Sequence, residues 1–211
     1  MRPRDDLVIG RLVQADRRAA VSLLATAFCD QPLDRAVVGG RRARRLRASR
    51  AGMEASLEAA ADRAELRTAR VATGLAGVLV ALPPFVHPLP PPAPITQLRT
   101  LLLQGFRAAG RWREVYEALE AHRPDPDRWF LSLLAVAPGL QGQGIGSALL
   151  SSWLRDVDQA AQPAWLETSR GENVSFYRRQ GFRVREELWL HGVPVWLMER
   201  PAASGCEGLR T

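Results

Sequence analysis

The chain has 211 residues, 29 of them basic and 22 acidic, for a formal net charge of +7. At about 150 residues per domain this length fits one domain with room for an insertion, and it buries a core without staples. With 46% hydrophobic and 24% charged residues, only two cysteines (Cys29 and Cys206) and no Cys/His cluster at zinc spacing, the composition argues against wholesale disorder, a disulfide framework and a zinc module. No apolar run reaches the ~18 residues of a membrane span. The start, Met1-Arg-Pro-Arg-Asp-Asp, lacks the apolar stretch of a secretory signal, so the cytoplasm is the expected location. All 29 basic residues are arginine, which removes Schiff-base and Walker-type lysines from consideration.

In chain order, Leu7 to Val13 reads as a short strand. Asp16 is placed to cap a helix with Val21, Leu24 and Phe28 on one face. Residues 41–62, rich in Arg and Ala, predict a second helix. Its Arg41, Arg42, Arg44, Arg45, Arg47 and Arg50 read as a solvated face, since no aromatic residues interleave with them as on a base-stacking surface. Glu65 to Val71 and Leu75 to Leu82 predict a hairpin turning at Thr73-Gly74. From Pro83 to Pro94 seven of twelve residues are proline, which stops helices and central strands alike. Two amphipathic helices follow, divided at Gly110. One carries Ile95, Leu98, Leu102 and Phe106 on a face, the other Trp112, Val115, Tyr116 and Leu119. His122 to Arg128 is a loop.

The last third is the most regular. Trp129 to Val136 predicts an apolar strand, Pro138 to Gln143 a turn, and Gly144 to about Asp158 a helix with Ile145, Leu149 and Trp153 on one side. Ala164 to Thr168 is a strand, and Asn173 to Gln180 a short helix ended by Gly181. Phe182 to Leu190 and Val193 to Glu199 pair around His191-Gly192. Residues 202–211 read as a frayed tail.

The informative segment runs from Leu134 to Leu150. A strand enters a turn with glycines at 139, 142, 144 and 146, and an amphipathic helix begins inside it. Such a turn leaves backbone N–H groups unpaired at the positive end of a helix, where a phosphate or pyrophosphate is the natural guest. A Walker loop fails, because Ser147-Ala148 follows Gly146 where lysine is required. A dinucleotide fingerprint fits poorly: its third glycine position falls on Ser147 or Leu149.

Gln141-x-x-Gly144-x-Gly146, after a strand ending Val136-x-Pro138, resembles the coenzyme A loop of the GNAT (Gcn5-related) N-acetyltransferases. Downstream, Glu167-Thr-Ser-x-x-x-Asn173-x-x-Phe-Tyr177-x-x-x-Gly181-Phe182 resembles that family's second signature. The resemblance spans Trp129 to Glu199.

The resemblance implies an α/β (α+β) fold: a mixed, mostly antiparallel sheet of about seven strands flanked by helices. A single domain over 1–201 would carry a helical insertion at about 84–127, before the loop-bearing strand. It implies a V-shaped opening between Trp129–Val136 and Ala164–Thr168 that takes acetyl-CoA as cosubstrate, with no metal. Leu134, Ala135 and Val136 would pair with the pantetheine arm, and Gln141, Gly142, Gln143, Gly144, Ile145, Gly146 and Ser147 would hold the pyrophosphate. The N–H near Leu134 would polarise the thioester carbonyl, Asn173 would bond the pantetheine or cap its helix, and Tyr177 would be the general acid. Some relatives carry an acid four residues before the position of Leu134. Here that residue is Phe130, which leaves Glu167, acting through water, as the candidate base. His122, His87 and His191 are further imidazoles to place. The expected reaction is acetyl transfer to a primary amine, of a small molecule or of a protein or peptide. A non-catalytic acyl-CoA sensor is the alternative of a different class. The insertion, with Phe106, Trp112 and Tyr116, is a candidate acceptor lid. Partners are then acetyl-CoA and an amine, with no membrane, and the chain is a monomer or homodimer; an RNA-associated protein, binding the nucleic acid through Arg41 to Arg50, is a third reading that ranks below these.

Overall fold

The computed structural model describes residues 6–203. Cys206, the first five residues and the tail from 204 lie outside the described residues. Seven strands form one sheet: β1 (Val8–Arg11), β2 (Glu65–Val71), β3 (Gly74–Leu82), β4 (Trp129–Val136), β5 (Ala164–Thr168), β6 (Arg183–Leu190) and β7 (Val193–Arg200). Their spatial order is β1-β2-β3-β4-β5-β7-β6. Every neighbouring pair is antiparallel except β4 and β5. This is the mixed, mostly antiparallel α/β sheet expected from the sequence.

Strand alternation divides the core into two layers. On one face Leu131, Leu134, Val136 and Leu166 pack with Ile145, Leu149 and Trp153 of α6 (Ile145–Gln159) and with Val174 and Tyr177 of α7 (Gly171–Arg178). On the other, Val78, Val80, Leu133 and Ala135 meet α1 (Arg17–Phe28) and α3 (Arg42–Ala60). Phe130, Trp165, Val195 and Leu197 on that same side meet α2 (Pro32–Val38) and α5 (Phe106–Ala121). No described helix is long and apolar enough to cross a membrane.

Several expectations are corrected. The break between α4 (Pro94–Gln104) and α5 falls at Gly105, whose φ of 86° a glycine adopts freely, and Gly110 lies inside α5. Asp16 makes no side-chain cap; it ends a 3₁₀ turn and its carboxylate pairs with Arg70. The α2 helix, opened by Pro32 at its first position, was not anticipated. The arginine cluster is only partly solvated. Arg45 is 8% exposed and donates to Cys29 O at 2.9 Å, while Arg44 donates to Gln104 O at 3.1 Å. These guanidiniums satisfy carbonyls at helix ends, where such groups otherwise go unpaired.

The apolar stripe of α4 points outward: Ile95, Leu98 and Leu102 are all exposed, as is Phe106, which belongs not to this stripe but to the start of α5. Its polar side holds it to α3. Glu58 accepts from Ala93 N–H and Thr96 Oγ1, each at 2.8 Å, and Arg99 pairs with Glu54 at 3.0 Å. The helix was therefore legible from its periodicity, but the direction of its face was not.

Helix α6 crosses the sheet at Gly77. A Cβ built there would lie 2.8 Å from Leu149 Cδ1 and 3.1 Å from Ala135 O. Gly77→Ala should therefore lower the unfolding free energy by about 1–3 kcal/mol, the usual cost of overpacking. Urea denaturation checks this, with an unchanged m-value expected.

Candidate active site

β4 and β5 hydrogen-bond side by side only at Trp129↔Ala164, Phe130↔Trp165 and Leu131↔Leu166. Beyond that point β4 runs on to Val136 and β5 to Thr168 without pairing to each other. The cause is local. Opposite Val80-Ala81 the β4 register jumps from Leu133 to Leu131, leaving Ser132 as a bulge, and a bulge bends its strand. Ala137 N–H bonds to Ala76 O at 2.9 Å. By antiparallel alternation Ala135 also points its N–H to β3, whereas Leu134 and Val136 turn theirs to the open edge.

At the end of β4 the chain makes a short 3₁₀ turn over Pro138–Leu140 and then the glycine-rich turn. Leu140 N–H bonds to Ala137 O at 2.8 Å, and the next amide with a backbone acceptor is Ala148, bonded to Gly144 O at 2.9 Å. The seven amides from Gln141 to Ser147 have no backbone acceptor among the described residues. Three of them (Ile145, Gly146 and Ser147) form the first turn of α6, where the helix dipole is positive. Gly142 and Gly144 hold φ of 75° and 82°, the left-handed conformation that turns consecutive amides to one side. Gln141 and Gln143 donate back to Val136 O (3.2 Å) and Gly139 O (3.4 Å), bracing the turn. The set of donors fits an anion.

Tyr177 lies across the parting on the α6–α7 face. Its helix ends in a Schellman motif: Phe182 N–H bonds Tyr177 O and Gly181 N–H bonds Arg178 O, both at 3.1 Å, with Gly181 at φ 88°. The motif folds Phe182 back onto the Tyr177 ring, 5.9 Å between centroids. Tyr177 is 7% exposed, and burial pushes its phenol above the ordinary value, so it holds its proton throughout the neutral range. Asn173 is not a helix cap, because α7 begins at Gly171. Its side-chain amide donates to Thr168 Oγ1 at 3.2 Å, tying α7 to the end of β5.

Glu167 points to the opposite face, the one it shares with Trp165 two residues before it. Burial raises its carboxyl to about 7; Arg123 opposes the rise and Glu120 adds to it. Arg123 lies over the rings of Phe130 and Trp165, 5.1 and 5.0 Å from their centroids, and those rings stack on each other at 4.7 Å. His87 packs edge-on to Phe130, and burial, then Arg123, lowers its pKa to about 4. Asp34 of α2 is pushed up to about 7 by burial. Trp112 packs against the cluster that holds Trp165, whereas Phe106 and Tyr116 are 77% and 61% exposed. Among the described residues no three His, Cys, Asp or Glu side chains cluster as a metal site would require.

The sequence pointed to Glu167, His87 and Tyr116 singly but missed Arg123 and Asp34. Nothing local marks Arg123 among 29 arginines; only the pairing of Phe130 with Trp165 brings an aromatic platform beneath it. His122 and His191 sit elsewhere. His122 Nδ1–H donates to Ala118 O at 2.8 Å, and His191 meets Glu114 at 3.4 Å in a tight turn.

Residues 106–184 match the family model described as acetyltransferase (GNAT) domain. Among solved structures, a Corynebacterium glutamicum protein described as histone acetyltransferase HPA2 and related acetyltransferase aligns with TM-score 0.73 at 21% identity, over 95% of this chain and 99% of that one. The ribosomal-protein-S18-alanine N-acetyltransferase of Escherichia coli aligns with TM-score 0.58 at 15% identity, over 97% and 99%. The PaiA N-acetyltransferase of Thermoplasma acidophilum, solved in complex with coenzyme A, gives 0.57 at 13%, over 92% and 98%. At these identities the structures speak for the fold.

The raised Glu167 carboxyl has a stability consequence. Its folded pKa of about 7 exceeds its ordinary 4.5, so the folded state binds the proton more tightly. That stability is complete below the ordinary value and is lost as pH rises to about 7. Glu167→Gln should then unfold with about 1–3 kcal/mol more difficulty than the parent at pH 8, with the difference shrinking toward pH 4.5. Urea titrations at the two pH values measure it.

Proposed function

On the premise that the chain carries a GNAT acetyltransferase domain, we propose that it is an acetyl-CoA-dependent N-acetyltransferase acting on a primary amine of a small molecule. The observation that carries this reading is the parting of β4 and β5 directly above a turn of seven unpaired amides. An open strand edge suits the amide-bearing pantetheine arm, and the adjacent positive turn suits the pyrophosphate. Bound acetyl-CoA supplies an activated acetyl thioester. The α5 helix, packed over the Trp165 side of the sheet, narrows the acceptor side and favours a small amine over a protein. We assign the reaction to the cytoplasm.

The roles divide by face. Leu134 and Val136 offer their backbone groups at the open edge, with Ala135 anchoring the strand to β3 between them, and Leu134 N–H points toward the thioester oxygen as negative charge grows there. Gln141, Gly142, Gln143, Gly144, Ile145, Gly146 and Ser147 hold the pyrophosphate, and Asn173 steadies α7 beside the arm. Glu167, with a pKa near neutrality, takes the proton of the incoming amine through a water. Tyr177, buried and protonated on the other side, gives its proton to the departing thiolate.

Thiol release from acetyl-CoA with a panel of primary amines tests the reading. Tyr177→Phe should lower kcat by about 100-fold or more with little change in the KM for acetyl-CoA. The parent's kcat/KM should rise with pH through about 7, and Glu167→Gln should remove that limb. A Tyr177→Phe enzyme as fast as the parent would end the acid assignment. Absence of thiol release with every amine would favour the acyl-CoA sensor.

A further inference from the structure

Arg123 is unusual in its surroundings. Its guanidinium lies on two stacked aromatic rings, with a side chain 15% exposed. Its Nε and Nη1 are buried and hydrogen-bond to no described group, and neither does the buried Oε1 of Glu167. The nearest anion, Glu120, is 52% exposed, and its carboxylate stands 3.1 Å from Nε without the alignment of a hydrogen bond. Buried polar atoms left this way are costly, and their recurrence at one place points to a ligand that completes them. Here a cation and a carboxyl lie on the same face of the sheet. Glu167 is two residues beyond Trp165, about 7 Å along the strand, and Trp165 is the ring under Arg123.

We propose that the acceptor is a primary amine that also carries a carboxylate a few atoms away, an amino-acid-like molecule, and that Arg123 receives this carboxylate. The proposal rests on the N-acetyltransferase reading and names its substrate class. The amine end lies toward Glu167, which takes its proton through water, and the carboxylate end lies toward the guanidinium. A planar guanidinium matches a carboxylate with two parallel hydrogen bonds. The guanidinium carries a single positive charge, and Glu120 and Glu167 beside it add negative charge to the site, which disfavours a dianionic phosphate more than a monoanionic carboxylate. Phe130 gains a purpose in this arrangement. It stands where some relatives carry an acid, and it forms half of the platform that holds the arginine by cation–π attraction.

The test compares matched amines in the thiol-release assay with the full chain: glycine against glycinamide, β-alanine against β-alaninamide, and 2-aminoethylphosphonate as the dianionic probe. The expected result is a kcat/KM about 30-fold or more higher for a carboxylate than for its amide, carried mainly by KM. In Arg123→Gln that ratio should fall to near one, and Arg123→Lys should keep part of it, which separates a lost contact from a misfolded chain. If the parent acetylates amide and carboxylate equally, or prefers the phosphonate, the carboxylate inference is overturned and the N-acetyltransferase reading stands. If the ratio is unchanged in Arg123→Gln, the residue is not its source. If none of these probes releases thiol but another primary amine of the panel does, the carboxylate inference is overturned and the N-acetyltransferase reading stands; silence from the whole panel ends both.

Discussion

Two parallel strands that stop hydrogen bonding halfway leave amide and carbonyl groups that something else must satisfy. In this chain the strands are β4 and β5, which pair for three residues and then part at the Ser132 bulge. The other sheet contacts are antiparallel and continue along their strands, so the parting is held open by a well-anchored frame. The glycine-rich turn exists at the end of the freed half of β4, and α6 starts where that turn delivers it. Gly77 allows α6 to lie close enough on the sheet for Ile145, Leu149 and Trp153 to enter the core. The position of the unpaired amides thus depends on packing several residues away.

The parting also separates two environments. On the α6–α7 side Tyr177 is buried among Phe176, Phe182 and aliphatic side chains, and it stays protonated. On the α2–α5 side Arg123 and His87 lie against the stacked pair Phe130 and Trp165, and Glu167 stands two residues beyond Trp165 on the same face of β5. An acid on one face and a carboxyl titrating near neutrality on the other is the arrangement that a transfer reaction through the opening requires. The segment between β3 and β4 supplies both His87 and Arg123, so it contributes to the second environment from both of its ends.

The strand segments Trp129–Val136 and Ala164–Thr168 were readable to the residue, because short apolar runs lay between strong turn signals. The glycine turn and the Gly181-Phe182 step were readable because Gly142, Gly144 and Gly181 each take a positive φ that other residues adopt at a cost. What failed in the sequence was whatever depended on distant partners. The stripe on α4 gave its period but not its direction, since Glu58 and Glu54 of α3 hold its polar side inward. The α4–α5 break moved from Gly110 to Gly105 because an isolated glycine can sit in a helix, and only the positive φ at Gly105 marks the turn. Arg45 looked solvated, yet it is buried against carbonyls at helix ends. Arg123 carries no local signal, because its platform is assembled by strands β4 and β5.

The central claim is that the turn from Gln141 to Ser147 binds the pyrophosphate of acetyl-CoA. Ser147 is the third residue of α6, where a glutamate favours the helix through its dipole yet sets a negative charge in the path of the phosphates. Calorimetric titration of acetyl-CoA into the parent and into Ser147→Glu separates folding from binding. The account predicts saturable binding to the parent, weakened by about 30-fold or more in the variant while its melting temperature holds or rises. Equal affinity in both proteins, or no binding to the folded parent, would contradict it.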